Sequence, residues 1–91
     1  MLIQSFGDKR TERLFNDNVV KEFEGFAARA KRKLESLNAA SRLEDLNLPG
    51  YQLHPLHTKP VRYSIHINGP WCITFEWNAP RALKVDLEQY H

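Results

Sequence analysis

Two hydrophobic periods divide the chain. Between Val19 and Leu37, apolar residues recur at three- and four-residue steps (Val19, Val20, Phe23, Phe26, Ala27, Ala30, Leu34, Leu37), which lays one stripe along about five turns of helix. From Tyr63 onward the period becomes two. Tyr63, Ile65 and Ile67 alternate with Ser64, His66 and Asn68, and after Gly69-Pro70 the apolar Trp71, Ile73, Phe75 and Trp77 alternate with Cys72, Thr74 and Glu76. This pattern predicts a β-hairpin. A second turn around Asn78 and Pro80 leads to a third strand marked by Leu83, Val85 and Leu87.

The upstream signals are shorter. "LIQSF" alternates and is followed by Gly7, which predicts a brief first strand. Asp8 is placed to cap a helix that turns Leu14 and Phe15 to one side and breaks at Asn16–Asn18. Ser41 with Glu44 reads as a capping box, opening the short helical turn "SRLEDLNL" ahead of Pro49-Gly50. A strand, two helices and then a meander predict an α+β fold in which two N-terminal helices pack on one face of a small antiparallel sheet.

At 91 residues the chain has surface for one modest core, so residues 1–91 are read as one domain. Five Phe, three Tyr and two Trp are ample for that core. The lone Cys72 cannot form an internal disulfide, no apolar run approaches the roughly 20 residues of a membrane span, and "MLIQSFGDKR" lacks the pattern of a secretory leader. A cytoplasmic protein without a membrane partner is expected. The net charge of +2 names no partner by itself, but basic residues gather in "ARAKRK", a common pattern for a solvated helix face, and in "HTKPVRYSIH".

Opposite the apolar alternation lie His66, Cys72, Thr74, Glu76, Lys84 and Asp86, the polar face that an antiparallel sheet commonly turns to water. All four histidines (His54, His57, His66, His91) fall in the second half of the chain. His54 and His57 straddle a proline and no second pair has metal-ligand spacing, so neither a metal nor a cofactor is expected. Phosphate-cradling glycine loops, nucleophile elbows and paired cysteines are likewise missing from the sequence. The remaining histidine, tyrosine and basic groups suit phosphodiester chemistry. RNA is cut without metal when a base takes the 2′-hydroxyl proton, a cation steadies the phosphate and an acid protonates the leaving 5′-oxygen. Tyr90 and His91, following the last strand, are suited to deliver such groups to the polar face.

"YQLHPL" (51–56), "RYSIHIN" (62–68), "WCITFEW" (71–77) and "EQYH" (88–91), behind the opening "MLIQSFGDKRTERLF", resemble the HigB toxins of the RelE/ParE superfamily over essentially the whole chain. The resemblance implies a RelE-like fold with a curved sheet. It also implies the toxin of a type II toxin–antitoxin system, a ribosome-dependent messenger-RNA endonuclease that inhibits translation. The implied partners are the ribosome, messenger RNA and a HigA-like helix-turn-helix antitoxin, through which alone operator DNA is contacted. His54 matches the family's His-Pro-Leu, and Tyr90 and His91 match its terminal Tyr-His, which makes these three the implied catalytic residues. Cys72 stands where the family has an arginine and Gln89 where it has an aspartate, departures that imply weakened activity unless another cation replaces the arginine.

His57, Lys59, Arg62 and His66 are the RNA-binding candidates, and Lys59, Arg62 or His66 could supply that replacement charge. Two other functions remain open. One is a catalytically degenerate toxin that binds its antitoxin and acts in operon repression; the other is a ParE-like gyrase inhibitor, against which the terminal Tyr-His argues. The ribonuclease reading predicts that His54, Tyr90 and His91 share one concave surface, and the alternation of "WCITFEW" places Cys72 on the same face as a small half-buried thiol packed in the sheet.

Overall fold

The computed structural model describes residues 3–89. Its first helix, α1 (Lys9–Phe15), begins at the cap the sequence places there, with the Asp8 side chain accepting from the Arg10 backbone N–H at 3.0 Å. That bond satisfies one of the donors a helix start leaves free. Beyond Asn16 the chain turns through Asp17 in left-handed backbone, φ 66°. Thr11 and Leu14 are the buried residues of α1, and the Thr11 hydroxyl accepts from the Leu87 N–H at 2.9 Å.

The expected five-turn helix is divided. Lys21–Phe26 forms a 3₁₀ segment and only Ala27–Ala39 is α-helical (α2). The 3₁₀ repeat of three residues stacks Phe23 above Phe26, and both rings rest on Trp71, with centroids 5.5 and 5.3 Å away. Gly25 between them lowers the preference for continuous α-helix. Val19 is consequently exposed while Val20 is buried, and α2 buries Ala30, Leu34 and Leu37. The next cap also differs from expectation by one residue. Asp45, not Glu44, closes the turn, its carboxylate accepting from the Ser41 and Arg42 N–H groups at 3.1 Å each. The segment it opens is a 3₁₀ turn, Leu43–Leu46, whose last residue, Leu46, is fully buried.

Four antiparallel strands follow in sheet order β1 (His54–Pro55), β2 (Arg62–Asn68), β3 (Trp71–Asn78) and β4 (Arg81–Gln89). The fold is α+β, with the helices on a small curved sheet as expected. Ile65, Ile67, Ile73, Phe75, Val85 and Leu87 face the helices and join Phe23, Leu34 and Leu37 in one core. One expected core position changes. Between the pairs Thr74↔Asp86 and Glu76↔Leu83, β4 carries an extra residue, and Lys84 adopts φ 50°. This bulge shifts the alternation, so Ala82 is buried in the core and Leu83 is not.

The N-terminal segment pairs with the outer edge of β4. Its contacts are two parallel bridges, Ile3↔Ala82 and Phe6↔Val85, rather than the continuous strand read from "LIQSF". The Ser5 hydroxyl accepts from the Lys84 N–H at 2.9 Å within the bulge, where a regular ladder cannot run.

Candidate active site

Residues directly paired across antiparallel strands share a face of the sheet. His54↔Ser64, Ser64↔Thr74 and Thr74↔Asp86 therefore form one row across all four strands on the face away from the helices. At the strand spacing of about 4.8 Å, His54 and Asp86 stand about 14 Å apart along it. His66↔Cys72↔Glu88 forms the next row, and Arg62↔Glu76 begins another. The floor is drier than a solvated face, because Ser64, Cys72 and Thr74 are all buried.

Arg62 roofs this floor. Its Nη2 donates to the Thr74 hydroxyl at 3.0 Å and to the Lys84 carbonyl, turned toward it at the bulge, at 2.9 Å. Nη1 lies 3.5 Å from Glu76 and Nη2 lies 3.6 Å from Asp86. The Thr74 hydroxyl in turn donates to the Glu88 carboxylate. Lys84 reaches Glu76 at 3.7 Å. Three carboxylates and two cations thus share the middle of the face.

Asp86 is the unusual member. Burial raises its carboxyl above the ordinary 3.8, opposed by Arg62 and reinforced by Glu88 and Asp8. Its Oδ1 is buried and has no hydrogen-bond partner among the described residues. The carboxylate packs against Gly7, where a Cβ would fall 2.7 Å from Oδ1. Ser64 Oγ is the other buried, unpartnered side-chain oxygen among the described residues.

His54 sits at the open edge on β1, exposed. Its Nδ1 lies 2.8 Å from the Gln52 carbonyl. A carbonyl only accepts, so Nδ1 carries a proton, and Nε2 is the ring nitrogen left to act as a base. Gln52 holds this geometry from left-handed backbone, φ 50°. A cleft of ≈ 240 Å³ beside His54 is lined by Leu43, Leu53 and Tyr63 among others.

The sequence as a whole resembles known proteins. A family model described as the RelE-like toxin of the type II toxin-antitoxin system HigB matches residues 4–91. The chain belongs to the HigB-like toxin family. It is also 32% identical, over 95 positions covering 99% of this chain and 100% of the relative, to "Endoribonuclease HigB" of Proteus vulgaris. Membership in this type II family implies an antitoxin partner for the chain.

Within this HigB-like fold the sequence-derived candidates are spread unevenly. Tyr90 and His91 lie outside the described residues, so their expected grouping with His54 does too. His57 and Lys59 are exposed on the loop joining β1 to β2 and have no hydrogen-bond or ion-pair partner among the described residues. That loop is braced by Thr58, whose hydroxyl accepts from the Arg62 N–H at 2.8 Å and donates to the Pro60 carbonyl at 2.9 Å. His66 is half-buried on the polar face, its Nε2 donating to the Gly69 carbonyl at 3.2 Å. Lys33 of α2 donates to the His66 carbonyl at 2.7 Å.

Cys72 is a small buried thiol, its Sγ 3.8 Å from the Pro70 carbonyl. Among the described residues no three His, Cys, Asp or Glu side chains converge to hold a metal. Thr74, Asp86 and Glu88 were not read as partners of Arg62 from sequence. The available signal was their parity, since 62, 74, 76, 86 and 88 all fall on the polar side of their strands.

Proposed function

We propose that this HigB-like chain is an endoribonuclease that cuts messenger RNA on the ribosome without metal and so inhibits translation. The observation that carries the reading is the His54 tautomer: Nδ1–H is committed to Gln52, and Nε2 is free at an exposed edge of the site. The name of the Proteus vulgaris relative supports the same chemistry.

In the proposed reaction Nε2 of His54 removes the proton from a ribose 2′-hydroxyl. The 2′-oxygen attacks the adjacent phosphorus, and the bond to the 5′-oxygen breaks. His91 gives that oxygen its proton, Tyr90 stacks on or positions the neighbouring base, and a 2′,3′-cyclic phosphate remains. His57 and Lys59 attract backbone phosphates electrostatically, while Arg62 and His66 supply cationic or donor groups nearer the reacting centre. A HigA-like helix-turn-helix antitoxin neutralises the toxin and makes the contacts to operator DNA. The site of action is the cytoplasm.

A second reading, a degenerate toxin that retains only antitoxin binding, is favoured by the thiol at position 72 and by the carboxylates around Arg62. Purified protein added to ribosomes carrying a defined messenger separates the two. The first reading expects a cut transcript, with the rate falling about 100-fold or more in His54→Ala. An intact transcript together with tight antitoxin binding establishes the second.

A further inference from the structure

We propose that Thr74, with Glu88 behind it, is a positioning residue for Arg62, and that the guanidinium so anchored is the permanent cation facing the scissile phosphate. This rests on the endoribonuclease reading above. It assigns a role to a threonine that reads in sequence as one more polar position in a strand.

A hydroxyl buried in mid-strand must be satisfied, and Thr74 has no exposure at all. Its one proton goes to Glu88, so its oxygen is left to accept, and the donor it accepts from is Nη2 of Arg62. The direction of the relay is therefore fixed from guanidinium to hydroxyl to carboxylate. The second Nη2 proton goes to the Lys84 carbonyl. Both protons of one nitrogen are used by groups of the sheet, one on β3 and one on β4.

Nη1 and Nε remain. They make no hydrogen bond among the described residues, although Glu76 lies within ion-pair distance of Nη1 at 3.5 Å. The two N–H groups of Nη1 are left to meet a phosphate oxygen, and the charge they carry is permanent. An incoming phosphate then takes the place of the longer Glu76 contact and leaves the Thr74 anchor intact. The side chain at position 72 cannot serve this purpose, being a buried thiol. The His66 ring is already tied to Gly69, and Lys59 lies on the connecting loop. Arg62 is the one permanently charged candidate that the sheet itself holds in a fixed orientation.

The test uses Thr74→Val, which keeps the shape and removes both hydrogen bonds, and Thr74→Ser, which keeps the hydroxyl. Cleavage on messenger-programmed ribosomes is measured for each under single-turnover conditions and at steady state, with folding checked by circular dichroism. Expected is a loss of about 10- to 100-fold in kcat for Thr74→Val with little change in KM, the pattern of a contact made chiefly in the transition state. Thr74→Ser should cut close to the wild-type rate. Thr74→Val combined with Arg62→Ala should be no slower than Arg62→Ala alone, because the two act as one unit. Glu88→Gln, which weakens the anchor without reshaping the sheet, should show a smaller loss in kcat and serves if Thr74→Val fails to fold.

The proposal is overturned if Thr74→Val cuts like the wild type, if Thr74→Ser is as slow as Thr74→Val, or if the two losses multiply in the double variant. Full activity of Arg62→Ala beside an inactive His54→Ala overturns this inference while sparing the ribonuclease reading. A wild-type protein that never cuts overturns the reading, and the inference with it.

Discussion

Gly7→Ala should destabilise the protein through a clash with one carboxylate, and the size of the effect follows from the geometry. An alanine Cβ at position 7 falls 2.7 Å and 2.9 Å from the two carboxylate oxygens of Asp86. Ordinary contact needs several tenths of an ångström more. The carboxylate can retreat only by changing its 3.6 Å approach to Arg62, and the backbone only by disturbing the 3.0 Å hydrogen bond from Gly7 N–H to the Val85 carbonyl. Overpacking of this kind costs about 1–3 kcal/mol. Against it, alanine stabilises by about 0.4–1 kcal/mol because it restricts the unfolded chain. The net loss is at most about 2.5 kcal/mol, or up to about 20 °C in Tm for a domain of this size. Thermal melts of four proteins isolate the clash: wild type, Gly7→Ala, Asp86→Ala and the double variant. Without the Asp86 carboxylate, Gly7→Ala should become neutral or mildly stabilising. Equal destabilisation by Gly7→Ala in both backgrounds would refute the reasoning.

Two further outcomes concern pH. The raised Asp86 carboxyl keeps its proton in the folded chain to a higher pH than in the unfolded one, so its favourable contribution is full below the ordinary 3.8 and is lost as pH rises through the raised value. The Tm of the wild type relative to Asp86→Asn should therefore be greatest in acid and decline toward neutrality, and a difference that grows with pH would contradict the assignment. Asp8 behaves oppositely. Its burial, which alone would raise the carboxyl, is outweighed by hydrogen bonds and charge from Arg10, leaving it lowered. Its stabilisation is present above 3.8 and fades as pH falls, so Asp8→Ala should cost about 1 kcal/mol as a lost helix cap near neutral pH, and melts repeated in acid should show the gap closing.

Local signals explain why the secondary structure was largely legible. The Asp8 cap, the alternation in β2 and β3 and the turn at Gly69-Pro70 each act over a few residues, and each appears in the fold. The departures arise where tertiary contact overrides period. Phe23 and Phe26 draw their segment into a 3₁₀ repeat to reach Trp71, a partner far away in sequence. The extra residue at Lys84 shifts β4 so that Ala82 takes the place expected for Leu83. The site was legible in part. His54 could be named from "HPLH", but the tie from Nδ1 to Gln52 depends on a left-handed residue that no pattern announced. Arg62 could be named as a cation, whereas its link through Thr74 to Glu88 requires the register of three strands.

The pairing of the N-terminal segment with β4 has a consequence in time. Lys84 and Ser5 meet across 79 positions of sequence, and Leu87 and Thr11 across 76. Closing loops of that length is entropically slow compared with forming α2 or the β2–β3 hairpin. During synthesis Ile3 and Phe6 emerge early and can meet Asn38 and Phe15, yet their backbone bridges wait until β4 has followed them out. The edge that supports Asp86 and the Lys84 bulge is therefore among the last features assembled, and the polar face acquires its charge pattern only when the sheet is otherwise complete. Substitutions in residues 3–7 should leave the folding rate nearly unchanged and speed unfolding instead.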